Sequence, residues 1–151
     1  MNKKMFFTVI AAALAAAILL VVACNTTARK AVKVADETFS AVYIKYKPDL
    51  ILEGAQKYTV KRGDTLSRIS EYFYYDSLYF PVIMLASSQV VLDPDKIRPG
   101  MELIIPNLHA NINDEKARHA MRGVIFDSAG IEDIKKRQET AERLRLHAAR
   151  L

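Results

Sequence analysis

The stretch Tyr58-Thr59-Val60-Lys61-Arg62-Gly63-Asp64-Thr65-Leu66-Ser67-Arg68-Ile69-Ser70 changes its local rule halfway along. Tyr58, Thr59 and Val60 are aromatic or β-branched, the residue types that fit a pleated strand. Gly63 permits a tight turn, and Asp64 is placed to cap a helix beginning at Thr65. Leu66, Ile69, Ser70 and Phe73 then recur at helical spacing. The chain therefore reads as a strand, a turn and a helix within sixteen residues.

Working outward, the aromatic run Tyr74-Tyr75-Asp76-Ser77-Leu78-Tyr79-Phe80 leads to Pro81, which suits the first turn of a second helix. Val82, Ile83, Leu85 and Ala86 fill that helix. The turn-rich segment Asp93-Pro94-Asp95-Lys96-Ile97-Arg98-Pro99-Gly100 precedes a second apolar strand, Met101-Glu102-Leu103-Ile104-Ile105, closed by Pro106. The order is strand, helix, helix, strand.

That order, with YTVKRGDTLSRIS at one end and DPDKIRPGMELIIP at the other, resembles the LysM domain over Lys57–Pro106. The resemblance implies a βααβ fold, with two antiparallel strands on one side of two helices. It also implies binding of N-acetylglucosamine-containing glycans such as peptidoglycan. The groove it implies has Gly63, Asp64, Thr65 and Leu66 on one wall and Lys96, Ile97, Arg98 and Pro99 on the other. Exposed backbone amides there would bond N-acetyl groups, and Ile97 would pack on their methyls. Many LysM domains carry asparagine at the end of the second helix. Here the chain reads Ala86-Ser87-Ser88, and Ser87 would serve with shorter reach. Gly63 and Asp64 are also what a turn and a cap require without any sugar, and Leu66 and Ile97 also suit a core. Of the aromatics from Tyr72 to Phe80, some are expected to fill the core and others to pack on flanking helices, rather than to stack on sugar.

Upstream, residues 5–23 are nearly all apolar and uncharged, with Lys3 and Lys4 before them and Cys24 after. A basic start, an apolar run and small residues form a secretory signal. Its end, Val21-Val22-Ala23-Cys24, resembles the bacterial lipobox, which implies cleavage before Cys24 and acyl chains such as palmitate on that residue. The thiolate is the strong nucleophile that such acylation needs. Cys24 is the chain's single cysteine, so it has no intrachain disulfide partner. Two readings compete with it. One is an uncleaved anchor, because 19 apolar residues can just span a bilayer core of about 30 Å. The other is an ordinary cleaved signal that leaves a soluble secreted protein. All three place residues 25–151 on the extracytoplasmic side, the two anchored ones in the cell envelope. Asn25 in place of aspartate after the cysteine resembles outer-membrane sorting in some bacteria.

After a polar tether, Ala28, Ala31, Val32, Ala35, Phe39, Val42, Tyr43 and Tyr46 mark one face of a helix, which Pro48 should stop. Residues 48–56 read as an extended connector. Beyond the strand at Ile105, Asn113 or Asp114 is expected to cap a long helix with Ala117, Met121, Val124, Ile125, Ser128, Ile131 and Ile134 on one face. Gly123 and Gly130 each cost such a helix about 1 kcal/mol, so a break near Gly130 stays open. Lys135–Gln138 reads as a turn and Glu139–Ala149 as a final helix. This hairpin is expected to cover the domain or the first helix; the alternative is a docking surface for a partner protein.

The expected division is a signal peptide over 1–23, a lipidated tether with helix and connector over 24–56, a LysM domain over 57–106 and a helical extension over 107–151. The class is α+β. The formal charge is +5, and removing Lys3 and Lys4 with the signal leaves +3. Basic and acidic residues are interleaved, which is no nucleic-acid footprint. No cofactor, metal or catalytic residue is expected: His109, His119 and His147 are far apart, and Glu132 and Asp133 are neighbours rather than a glycosidase pair. The expected function is a non-catalytic envelope lipoprotein held to the membrane by acyl chains and to peptidoglycan by the groove. The alternative is an envelope scaffold whose helices recruit a protein.

Overall fold

The computed structural model describes Lys30, Lys33 and residues 37–151. The chain divides into residues 1–34 and residues 35–151. The signal peptide, Cys24, the tether and the helix positions expected at Ala28, Ala31, Val32 and Ala35 lie outside the described residues. Among the described residues no helix is long and apolar enough to cross a membrane.

Residues 37–46 are helical and are called α1. Phe39, Val42, Tyr43 and Tyr46 on it are buried, as the spacing of three and four requires. The helix gives way to a single 3-10 turn, Lys47–Asp49, that contains Pro48. The connector that follows turns at Gly54, whose φ of +71° suits glycine.

β1 is Gln56–Thr59 and pairs antiparallel with β2, Glu102–Ile105, in the register Gln56 with Ile105 and Thr59 with Glu102. The strand was expected at Tyr58–Val60 and begins two residues earlier. Val60 still joins the ladder's end, donating to the Met101 carbonyl and accepting from Gly100 N–H, both at 2.9 Å. Between the strands come α2, Leu66–Tyr74, and α3, Phe80–Ala86, with Pro81 in the first turn of α3. The βααβ order is therefore present.

Every residue of α3 is buried. A helix apolar on all sides needs neighbours on all sides, and α3 has them: α2 and β2 from within the domain, and a helix from the extension. That extension begins with α4, Leu108–Asn113, too short to have shown a periodicity. Asn107 caps it by accepting from Ala110 N–H at 3.1 Å. Asp114 then caps α5, Glu115–Ile134, by accepting from Ala117 N–H at 2.8 Å. α5 runs through Gly130 without a break. After a turn made by Lys136 at φ +60°, α6 covers Gln138–Ala148 and packs back along α5. One apolar cluster runs from Phe39 through Ile83 and Met121 to Leu144, so the hairpin covers the domain and shares its core.

α6 also meets the domain directly. The His147 ring stands edge-on to Tyr79 at 4.5 Å between centroids, with Nδ1 3.4 Å from Asp76 Oδ2. Burial lowers the His147 pKa, against the opposing pull of Asp76.

Candidate functional site

The turn at Gly63 is built by its neighbours rather than by a helix cap on Asp64. Gly63 has φ +88°, the left-handed region where a side chain is strained. Asp64 Oδ2 accepts from Lys61 N–H at 2.8 Å and from the Tyr58 hydroxyl at 2.7 Å. It therefore ties the turn back to β1. The backbone bond from Lys61, then the Tyr58 hydroxyl, hold its carboxyl below the usual range. The cap is Thr65, whose hydroxyl accepts from Arg68 N–H at 3.2 Å, so α2 begins at Leu66 and not at Thr65. The expected cap on Asp64 is corrected for that reason: its oxygen is already engaged upstream.

Opposite this turn, Asp93 caps a 3-10 turn, Pro94–Lys96, by accepting from Asp95 N–H at 3.0 Å. Ile97 follows, half-buried. Between the two turns lies a cleft of about 350 Å³, at the small end of ligand sites, which run from roughly 300 to 1,000 Å³. Asp64, Thr65, Leu66 and Ser67 line one side and Pro94, Asp95 and Ile97 the other, with Phe80 between them. The N–H groups of Leu66 and Ser67 open the helix and have no intrahelical acceptor, which leaves them for water or a ligand.

Of the nine residues expected in a glycan groove, four line the cleft: Asp64, Thr65, Leu66 and Ile97. Gly63 makes the turn behind it. Lys96, Arg98 and Pro99 are exposed on the same loop and do not line the cleft. Ser87 is elsewhere. It is 2% exposed, and its hydroxyl accepts from Ile104 N–H at 2.9 Å and donates to the Ile104 carbonyl at 3.3 Å. Its placement in the groove is corrected: the hydroxyl fastens the end of α3 to β2. The aromatics bear out the core half of the expectation, since Tyr74, Tyr79 and Phe80 are buried. Tyr72 and Tyr75 pack on no flanking helix among the described residues but stand 74% and 89% exposed.

Glu132, Arg137 and Thr140 also line the cleft, and all three come from the helical extension. Their approach is set by charge. Arg137 grips Asp95 with two parallel bonds, Nη2 to Oδ2 at 2.6 Å and Nη1 to Oδ1 at 3.0 Å, the strong bidentate geometry. Lys135 Nζ reaches Asp93 Oδ1 at 2.5 Å and Asp95 Oδ2 at 3.0 Å, and lies over the Phe39 ring. Burial would raise the Asp95 pKa, but the bonds from Arg137 and Lys135 outweigh it and bring it below the ordinary value. The 135–137 turn is thus bolted to the loop that forms the second wall. The only sequence signal was opposite charge on two turns some forty residues apart, which is too common to read.

Glu132 is the group on this wall without full compensation. It is 1% exposed, Oε2 accepts one long bond of 3.3 Å from Arg137, and Oε1 has no partner among the described residues. Burial raises its pKa above the ordinary value against the pull of Arg137 and Lys135. A carboxyl raised on folding stabilises the fold below its unfolded pKa and loses that contribution as pH rises through the folded value. Glu132→Gln should therefore gain in thermal midpoint over the native chain as pH rises from about 4 to 7. A difference between the two proteins that is constant with pH would refute this.

Residues 58–106 match the LysM domain family model. Over 52 residues the chain is 46% identical to the potassium binding protein Kbp of Escherichia coli O6:H1, covering 34% of this chain and 35% of that protein. Over 53 residues it is 43% identical to an uncharacterized protein of Deinococcus radiodurans, covering 35% of this chain and 20% of that protein. The chain thus spans about a third of the first relative's length and a fifth of the second's. A βααβ fold, a cleft between its two turns and the family match agree on one assignment: residues 58–106 of this chain are a LysM domain.

Proposed function

We propose that the chain is a non-catalytic cell-envelope lipoprotein that binds peptidoglycan, or a related N-acetylglucosamine glycan, in the cleft between Asp64–Ser67 and Pro94–Ile97. LysM domains are binding modules for such glycans in general. The observation that carries the reading is the cleft itself. It opens between the two turns where the resemblance puts a groove, with helix-start N–H donors on one wall and the apolar Ile97 on the other. Donors suit the N-acetyl carbonyl and Ile97 suits its methyl.

Anchoring through acyl chains on Cys24 completes the proposal. A single acyl chain holds a protein only marginally, whereas several give stable attachment. A membrane anchor and a wall-binding groove on one chain would make each contact reinforce the other. The chain would then sit on the extracytoplasmic side, bridging a membrane and the wall.

The test is co-sedimentation of the full chain, in mild detergent, with purified sacculi. The native chain should pellet with the polymer. A Gly63→Ala, Ile97→Asp double variant with unchanged circular dichroism should stay in solution. Equal pelleting of the two would remove the groove from the reading. Failure of the folded native chain to pellet would discard the glycan.

A second reading, an envelope scaffold whose helices bind a protein, is favoured by a different feature. Tyr46, His119, Gly123, Phe126 and Ala148 line a shallow, mostly apolar cleft of about 310 Å³, and Phe126 is 55% exposed. A native chain that is folded and leaves sacculi untouched would direct attention to that face.

A further inference from the structure

The helical extension does more than cover the domain, because three of its residues line the cleft already described. Glu132 comes from the last turn of α5, Arg137 from the connecting turn and Thr140 from the first turn of α6. Arg137 and Lys135 hold that turn against Asp95 and Asp93 on the opposite loop, with Arg137 in a two-bond grip. Two parallel bonds fix orientation as well as distance. The extension is therefore set relative to the cleft, and the Thr140 side chain, half-buried, is held at its edge.

We propose that the 135–137 turn and the start of α6 form a third wall of the groove, so that a bound N-acetylglucosamine saccharide contacts Thr140 as well as the two loops. This rests on the glycan reading above. Arg137 acts as a positioning residue through Asp95, and it also lines the cleft. The wall narrows the site from the side of the extension. The saccharide that fits is selected by α6 and not by the domain alone.

The chain contains no tryptophan, so one introduced at position 140 both fills the cleft and reports on it. The native full chain in detergent, Thr140→Trp, Thr140→Gln and Leu146→Trp are titrated with chitotetraose and pelleted with sacculi. Leu146 is on the same helix, 55% exposed and away from the cleft. Its variant carries the same bulk to an unrelated face. Thr140→Gln is the milder change, and glutamine favours a helix more than threonine does, so it keeps the test open should Thr140→Trp not fold.

Thr140→Trp should lose affinity by about tenfold or more, and its residual binding should shift the tryptophan emission. Thr140→Gln should lose several-fold, and Leu146→Trp should bind like the native chain with no change in emission. Native affinity in both folded position-140 variants, while the native chain binds, would overturn the third wall and leave the glycan reading in place. Failure of the native chain itself would overturn both.

Discussion

Asn111→Ala should destabilise the protein by about 2–4 kcal/mol, read as a lower urea midpoint with an unchanged slope. Asn111 is fully buried on α4. Its Nδ2 donates to the Ile51 carbonyl at 2.8 Å and to the Asn107 carbonyl at 2.9 Å, while its Oδ1 accepts from Ile51 N–H at 2.9 Å. One amide therefore serves both backbone groups of a connector residue sixty positions earlier, as a neighbouring strand would. Alanine leaves that N–H and carbonyl unpaired in a half-buried place, at about 1–3 kcal/mol for each group that finds no water. It also leaves a small void. Asn111→Asp should do no better, since it keeps the acceptor, loses both donors and faces a carboxylate with two carbonyl oxygens. A loss below about 0.5 kcal/mol for alanine would mean that water replaces the side chain at Ile51, and that the connector is not held from α4.

The consequence reaches the groove. The connector leads straight into β1, β1 carries Tyr58, and Tyr58 anchors Asp64 at the first turn. A connector fastened by Asn111 thus steadies one wall from behind. Arg137 and Lys135 steady the other from in front.

What was legible in the sequence was what depends on neighbours in the chain. Gly63 and the strand-like Tyr58–Val60 stand within six residues of each other, and each changes the local backbone rule. The helical spacing of Leu66, Ile69 and Phe73 and the proline in the first turn of α3 are of the same kind. What was not legible depends on which of several adequate partners a side chain finds. Asp64 and Thr65 are both fit to cap α2, and the choice falls to Thr65 because Tyr58 and Lys61 claim Asp64. Ser87 looked like a short substitute for a ligand residue. The nearest groups it can reach belong to Ile104 on β2, a pairing that exists only once the strands have closed. The ion pairs that bring Arg137 and Thr140 to the cleft join two turns with no periodicity and no sequence proximity. Short α4 lacks the length for a hydrophobic period.

The two glycines of α5 should respond to alanine with opposite signs, although both are in mid-helix. By propensity alone each replacement gains about 1 kcal/mol. At Gly130 nothing lies within 4 Å of an added Cβ and the position is exposed, so the full gain is expected. At Gly123 an added Cβ would overlap the ring of Tyr46. That ring cannot simply swing away. Tyr46 is 8% exposed, its hydroxyl donates to Asp127 Oδ2 at 2.9 Å, and Lys45 Nζ lies 4.8 Å over its face. Overpacking a filled site costs about 1–3 kcal/mol, and displacing the hydroxyl forfeits about 1 kcal/mol more. Gly123→Ala should therefore lose roughly 1–3 kcal/mol net of its propensity gain, while Gly130→Ala raises the urea midpoint. A Tyr46→Ala background should remove most of the penalty at position 123, because the two changes share one contact. Equal stabilisation by both alanines would show that α1 does not press Tyr46 onto α5. Gly123 would then have no packing reason to be there.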